Sequence, residues 1–256
     1  MFAGWTATGS GRGVPTVPRF FTGPVSGSRV CLSGETASHI RVLRMRPGEE
    51  LTLCDGQGTD YVCRLEALDG AGAQVEVLSS QPSAGEPAVD VTVYMAFAKA
   101  DKLEHVIQKA TELGAREIVA YPSARCVARY DAAALKSKLP RWQKIAAAAA
   151  EQSGRGRIPA VRAVSGWAAV LQEAAAADLP LIFYERERNN SLRSLVQVPW
   201  RSAAVLTGPE GGYTEAEIAA AVEAGLRSAS LGARILRCET APLAALTALL
   251  FAAGEM

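Results

Sequence analysis

The first third of the chain alternates between apolar and polar positions. Arg29-Val30-Cys31-Leu32, Glu50-Leu51-Thr52-Leu53-Cys54, Tyr61-Val62-Cys63-Arg64-Leu65 and Ala73-Gln74-Val75-Glu76-Val77-Leu78 repeat close to every second residue. That is the period of a strand with one face on a core. Asp55-Gly56-Gln57-Gly58 and Asp69-Gly70-Ala71-Gly72 supply turn residues between such runs. One helix-like piece, Glu35 to Arg44, interrupts them. Short strands at this spacing predict a small β barrel. The stretch Gln81-Pro82-Ser83-Ala84-Gly85-Glu86-Pro87 then has the composition of a linker.

From Val89 onward the texture changes. Val89 to Ala98, Glu117 to Tyr121, Leu179 to Tyr184, Ala203 to Leu206 and Ala229 to Leu231 are short apolar runs that read as strands. Segments of helical period separate them. Asp101 to Leu113 carries Leu103, Val106, Ile107, Ala110 and Leu113 on one stripe, with Asp101 in the N-cap position and Gly114 as terminator. Lys102, His105 and Lys109 form a second, basic stripe. Asp131 caps a short helix, and Pro140 sits at the first turn of a new one, Arg141 to Gln152. Ser165 to Ala177 and Thr214 to Ala224 are further helices. The last, Ala241 to Ala253, is apolar on nearly all sides, which predicts burial in the fold or in a subunit interface. Strands alternating with helices predict an α/β domain with a mostly parallel sheet.

Two loops in that pattern are candidates for chemistry. Leu206-Thr207-Gly208-Pro209-Glu210-Gly211-Gly212 leaves a strand and enters a helix opened by Thr214 and Glu217, a capping-box pair. Judged alone, this turn is equally a tight bend with no ligand. A second loop, Leu231-Gly232-Ala233-Arg234-Ile235-Leu236-Arg237-Cys238-Glu239-Thr240-Ala241, has the same strand-to-helix setting, with Thr240 read as the cap of the helix that follows. In parallel sheets such loops meet at the carboxyl ends of the strands, where ligands bind. The dinucleotide G-x-G-x-x-G and the phosphate-loop G-x-x-x-x-G-K-[ST] patterns are both absent.

Composition narrows the classes. The 256 residues are 49% hydrophobic and 21% charged, enough for a real core, with no run long enough to span a membrane. Five scattered cysteines and only two histidines leave little material for a disulfide framework, a metal site or a histidine triad. Reduced thiols and a cytoplasmic setting are the expectation, with no metal and no membrane partner. Residues 99–162 carry 13 basic and 6 acidic side chains, net +7, between flanks of −3 each. That asymmetry suggests a surface for a polyanion. Residues 1–17 are rich in Gly, Thr and Ser and read as a disordered extension.

The paired loops resemble those of the RsmE family of SPOUT methyltransferases. Pro18-Arg19-Phe20-Phe21, His39 to Arg44, Lys99 to Lys102, Gln108 to Gly114 and Arg141 to Arg155 agree with the same family. The resemblance implies transfer of a methyl group from S-adenosylmethionine to N3 of one uridine in 16S ribosomal RNA of the small ribosomal subunit. It implies a trefoil-knotted SPOUT α/β methyltransferase domain at 89–256, a PUA-like β-barrel RNA-binding domain at 18–80, a linker at 81–88, and a homodimer. By the same carry-over the cofactor contacts are Leu206, Thr207, Gly208, Pro209, Glu210, Gly211, Gly212, Leu231, Gly232, Ile235, Leu236, Arg237, Thr240 and Ala241. Cys238 departs from the family's usual threonine and reads as packing.

Ring-nitrogen methylation requires loss of the N3 proton, so a base or an anion-stabilising field is expected. Glu210, Glu239 and Arg237 are the candidates, against plainer roles in capping and ion pairing. The uridine must be unpaired or swung out. For the RNA, Arg19, His39, Arg41 and Arg44 in the first domain and Lys99, Lys102, Lys109, Arg125, Arg129, Arg141 and Arg155 in the second are candidate contacts. Trp142 and Tyr130 are candidates to stack on a base. Two other readings stay open: a non-catalytic RNA-binding protein, and a related enzyme acting on tRNA or ribose 2′-OH.

Overall fold

A computed structural model describes residues 17–99 and 101–256. The expectation for residues 1–17 therefore falls, apart from Val17, outside the described residues. The chain divides into two compact units: one of residues 1–55 and 59–81, the other of 56–58 and 82–256.

In the first unit, β1 (Arg19–Phe21), β2 (Arg29–Leu32), β3 (Glu50–Cys54), β4 (Thr59–Leu68) and β5 (Ala73–Pro82) form a mixed sheet in the order β1-β3-β4-β5-β2. Helix α1 (Gly34–Val42) lays Ala37 and Ile40 on its core, with Leu51, Leu53, Leu65 and Val75. The expected small barrel takes the form of a five-stranded mixed sheet with β1 and β2 at its edges, the two not paired with each other among the described residues. Strand β1 was not among the sequence-predicted strands, being only three residues long.

Helix α1 ends in an unusual way. Arg44 holds φ 56°, the one positive φ among described non-glycine residues, and Met45 N–H closes the turn on Ile40 O at 3.3 Å. Glycine normally fills that left-handed position, because a Cβ there costs roughly 1–2 kcal/mol. Arg44→Gly is accordingly expected to raise stability by about 1 kcal/mol after the looser unfolded chain is counted. A urea midpoint that moves up with an unchanged slope meets this expectation. A lowered midpoint refutes it.

The second unit is built on six parallel strands in the order β11-β9-β10-β6-β7-β8. These are β6 (Asp90–Ala96), β7 (Glu117–Tyr121), β8 (Ala160–Ala163), β9 (Leu179–Phe183), β10 (Ser202–Thr207) and β11 (Arg227–Ala229). Strands β9 and β10 are buried along nearly their whole length, as expected of a sheet covered on both faces. Helices α2 (Lys102–Leu113), α3 (Ala132–Gln152), α4 (Trp167–Ala174), α5 (Leu192–Leu195), α6 (Glu215–Glu223) and α7 (Ala241–Ala252) complete it. Strand order reverses between β6 and β10, so the crevice beyond their carboxyl ends is the natural ligand position.

Several local expectations are corrected. Residues Ala132 to Gln152 form one helix running through Pro140, not two. Leu135, Leu139, Trp142 and Ala146, at spacings of four, three and four, pack on the core. That stripe outweighs the backbone bond proline removes, and the ring faces solvent. Neither Asp101 nor Thr240 makes a side-chain cap bond: their ψ angles, 4° and −39°, lack the extended form a cap requires. Asp131 and Thr214 do cap, the latter in a full capping box.

Of residues 81–88, expected as a linker, 82–88 belong to the second unit and are tied down there. The Glu86 carboxylate accepts from Arg155 Nη2 at 2.7 Å and from the Gly156 and Arg157 amides at 2.9 and 3.0 Å. Arg155 in turn donates to Thr111 O at 3.1 Å and Ala115 O at 2.7 Å, satisfying the carboxyl end of α2.

Candidate functional site

The loops leaving β9, β10 and β11 enclose a cavity of about 420 Å³, a size usual for small-molecule sites. Its floor is the β10 loop. A Cβ at Gly208 would lie 3.3 Å from the Tyr213 ring, one at Gly211 3.1 Å from Arg125 Cβ, and one at Gly212 3.0 Å from a Glu185 oxygen. Gly212 also has φ 65°. A side chain at any of the three would crowd a neighbouring one, so the close packing of this loop requires glycine, and all three line the cavity.

That loop is held from one side by the β7–α3 connection. Glu217, buried on the first turn of α6, accepts from Thr214 N at 2.8 Å and also from Ala124 N at 2.8 Å and Ser123 Oγ at 2.9 Å. One carboxylate therefore closes its own capping box and fastens a second loop. Burial alone would raise its pKa, but these donors outweigh it and hold the group below the ordinary value. Arg125 Nη1 adds a bond to Gly211 O at 3.0 Å. Beneath, Tyr121 Oη meets Tyr213 Oη and donates to Thr207 O at 2.9 Å.

On the other side stands Lys102, at the start of α2. Its ammonium lies 3.2 Å from Glu210 and 3.4 Å from Glu239. Glu210 also accepts from the Lys99 amide at 3.0 Å. The Cys238 thiol donates to Glu239 at 3.2 Å. Burial, the Glu239 bond and nearby carboxylate charge push that thiol up to about 12. Cys238 is therefore a neutral packing group and donor, as the sequence suggests, and not a nucleophile. Burial works against ionisation of both carboxylates, yet backbone donors and Lys102 hold each below its ordinary value.

Of the residues expected to hold a cofactor, Thr207 to Gly212, Leu231, Gly232, Ile235, Leu236, Arg237 and Ala241 line this cavity. Leu206 is buried within β10 and does not. Thr240 faces a separate shallow groove along α7. Sequence reading missed Phe183, Tyr184 and Glu185, which close the cavity from the β9 side. The signal was present: in a parallel sheet the loop after Leu179 to Tyr184 ends at the same edge.

The basic residues disperse. Arg155 is 3% exposed and committed to Glu86 and two carbonyls, so its expected phosphate contact is corrected to an internal role. Arg19 pairs with Asp60, Lys109 with Glu112 and Arg141 with Glu104. Lys102 and Arg125 turn onto the cavity loops. Arg44, Lys99 and Arg129 are exposed. Exposed too are Arg41, which donates to Asp69 O, and His39, which packs edge-on against Phe20. Trp142 is in the core and is not available for stacking. Among the described residues no cluster suits a metal ion, and no helix is long and apolar enough to cross a membrane.

Comparison with known proteins agrees with this geometry. A family profile described as RNA methyltransferase domain matches residues 85–250, and one described as RNA methyltransferase PUA domain matches 32–78. Ribosomal RNA small subunit methyltransferase E of Bacillus subtilis is 36% identical over 225 residues, 85% of this chain and 88% of its own. The protein of the same name from Mycobacterium tuberculosis is 35% identical over 231 residues, 88% and 87% of the two chains. The crystal structure of ribosomal RNA small subunit methyltransferase E from Neisseria gonorrhoeae bound to S-adenosyl methionine superposes with a TM-score of 0.78. It is 34% identical and covers 92% of this chain and 97% of its own. A methyltransferase of Legionella pneumophila in complex with the same cofactor gives 0.77 at 30% identity, covering 92% and 98%.

Proposed function

The chain belongs to the ribosomal RNA small subunit methyltransferase E family, and from that premise we propose that it methylates N3 of one uridine in 16S ribosomal RNA using S-adenosylmethionine. The observation that carries this reading is the tightly packed glycine loop of Gly208, Gly211 and Gly212 lining the cavity at the carboxyl edge. Its volume and its mixed apolar and polar walls fit a nucleoside-bearing amino acid. When bound, the cofactor supplies an activated methyl group. The backbone of the β10 loop and the loop after β11 grip it, with Phe183, Leu231 and Leu236 offering apolar surface.

The remaining chemistry belongs to side chains. Backbone donors and Lys102 hold Glu210 and Glu239 ionised, and their lowered pKa makes them weak acceptors for a proton from N3. In this reading Glu210, on the cavity wall, orients the reactants, while Glu239 lies on the α7 groove and acts through Lys102. Arg237, exposed on the cavity wall, is the group suited to steady the uracil anion. Arg44, Lys99 and Arg129, with Arg41 and His39, are the available phosphate contacts. Helix α7 supports a homodimer: Pro242, Ala245, Leu246, Leu249 and Leu250 are buried, while the half-buried Leu243, Ala244 and Ala248 and the 71% exposed Phe251 line an apolar groove on its other side. The trefoil knot implied by the family belongs to the same proposal.

The test is direct. The chain is incubated with S-adenosylmethionine and unmethylated small ribosomal subunits, and the RNA is copied by reverse transcriptase. An N3-methylated uridine halts the copy, because it cannot pair. Methyl incorporation without a stop points to ribose or tRNA-type chemistry and overturns the N3 assignment. No incorporation overturns the enzyme reading.

A further inference from the structure

We propose that Lys102 is a positioning residue of the cofactor pocket, joining the loops after β10 and β11 to the start of α2, and not a contact for RNA phosphate. The inference rests on the S-adenosylmethionine reading above and deepens it. Lys102 is the first residue of α2, whose Leu103, Val106, Ile107 and Ala110 are locked in the core. The base of its side chain therefore has a fixed origin. From there the ammonium reaches Glu210 of one loop at 3.2 Å and Glu239 of the other at 3.4 Å, and donates to Cys238 Sγ at 3.7 Å. The thiol continues the chain by donating to Glu239.

Two carboxylates on one ammonium leave a local charge of −1, which repels phosphate. That is the physical objection to the RNA role. The side chain is also only 26% exposed, against 70% for Arg141 on the neighbouring helix. Removing the ammonium would place Glu210 and Glu239 together without a counter-charge, and the two loops that wall the cavity would move apart. Lys102 lines the cavity, but its ammonium is committed to Glu210 and Glu239. It acts through the loops it joins.

The experiment uses the full chain with Lys102→Met and Lys102→Arg. Calorimetric titration with S-adenosylmethionine is expected to show Kd about tenfold weaker for the methionine variant, near 1.4 kcal/mol. KM for the cofactor should rise with a smaller change in kcat. Lys102→Arg, which keeps the charge, should recover most of the loss. Binding to a ribosomal RNA fragment across salt concentrations should keep its slope. Should Lys102→Met fold poorly, Glu239→Gln interrupts the same link and is expected to weaken the cofactor severalfold. An unchanged cofactor Kd in both variants overturns the assignment, as does an RNA salt slope reduced by about one, the mark of a lost phosphate contact. A wild-type chain that binds no S-adenosylmethionine overturns the proposed function together with this assignment. Wild-type binding with unaltered variants overturns this assignment alone.

Discussion

Replacing Arg155 by methionine is expected to lower stability by about 3–5 kcal/mol, the usual cost of removing one partner from a buried ion pair. The guanidinium is 3% exposed and serves three acceptors. Its loss leaves the Glu86 carboxylate without its charge partner, Ala115 O without the guanidinium donor, and Thr111 O with only the Gly114 amide. Both defects lie at the carboxyl end of α2, the helix that carries Lys102. The damage should therefore appear as a large drop in denaturant midpoint. RNA affinity per folded molecule, and its dependence on salt, should not change. A midpoint within about 1 kcal/mol of wild type would show the pair to be dispensable, and a fallen salt slope would restore Arg155 as a phosphate contact.

The second large effect is expected at Glu217. Glu217→Leu removes the acceptor of the Ala124 and Thr214 amides and of the Ser123 hydroxyl. Two part-buried backbone donors without partners, together with the lost carboxylate half of the capping box, cost about 2–4 kcal/mol. The sign of its pH dependence follows from the lowered pKa. A carboxylate held below its ordinary value of 4.5 stabilises the fold fully above that pH and loses the contribution as pH falls through the folded value. Wild type should accordingly lose stability from about pH 4.5 downward, and Glu217→Gln should lose less over that interval. An acid limb identical in both proteins would assign the sensitivity to other carboxylates.

Local signals in the chain were read well and distant ones were not. The Thr214–Glu217 capping box is a four-residue pattern whose physics is contained within four residues, and the structure contains it. So is the stripe from Leu103 to Ala110. Pro140 shows the limit of a local rule: a helix start is one use of proline, and only the packing of Leu135 and Leu139 reveals the other. Strand β8, four residues with two alanines, has almost no period to detect. Distance in sequence hid the rest. Glu86 and Arg155 are 69 residues apart, and Lys99 and Glu210 are 111 apart. A basic stripe at helical spacing says where Lys102 sits on α2, not which carboxylates another loop will bring to it. The cavity loops were legible because strand, glycine turn and helix are consecutive.

The two-sided fastening of the β10 loop has a thermodynamic meaning of its own. Arg125 and Glu217 hold it from one flank, Lys99 and Lys102 from the other. Its conformational entropy is lost when the chain folds, not when a ligand arrives. A preorganised cradle of this kind leaves more of each new contact to appear as affinity. It also makes the glycine turn a stiff element of the cavity wall.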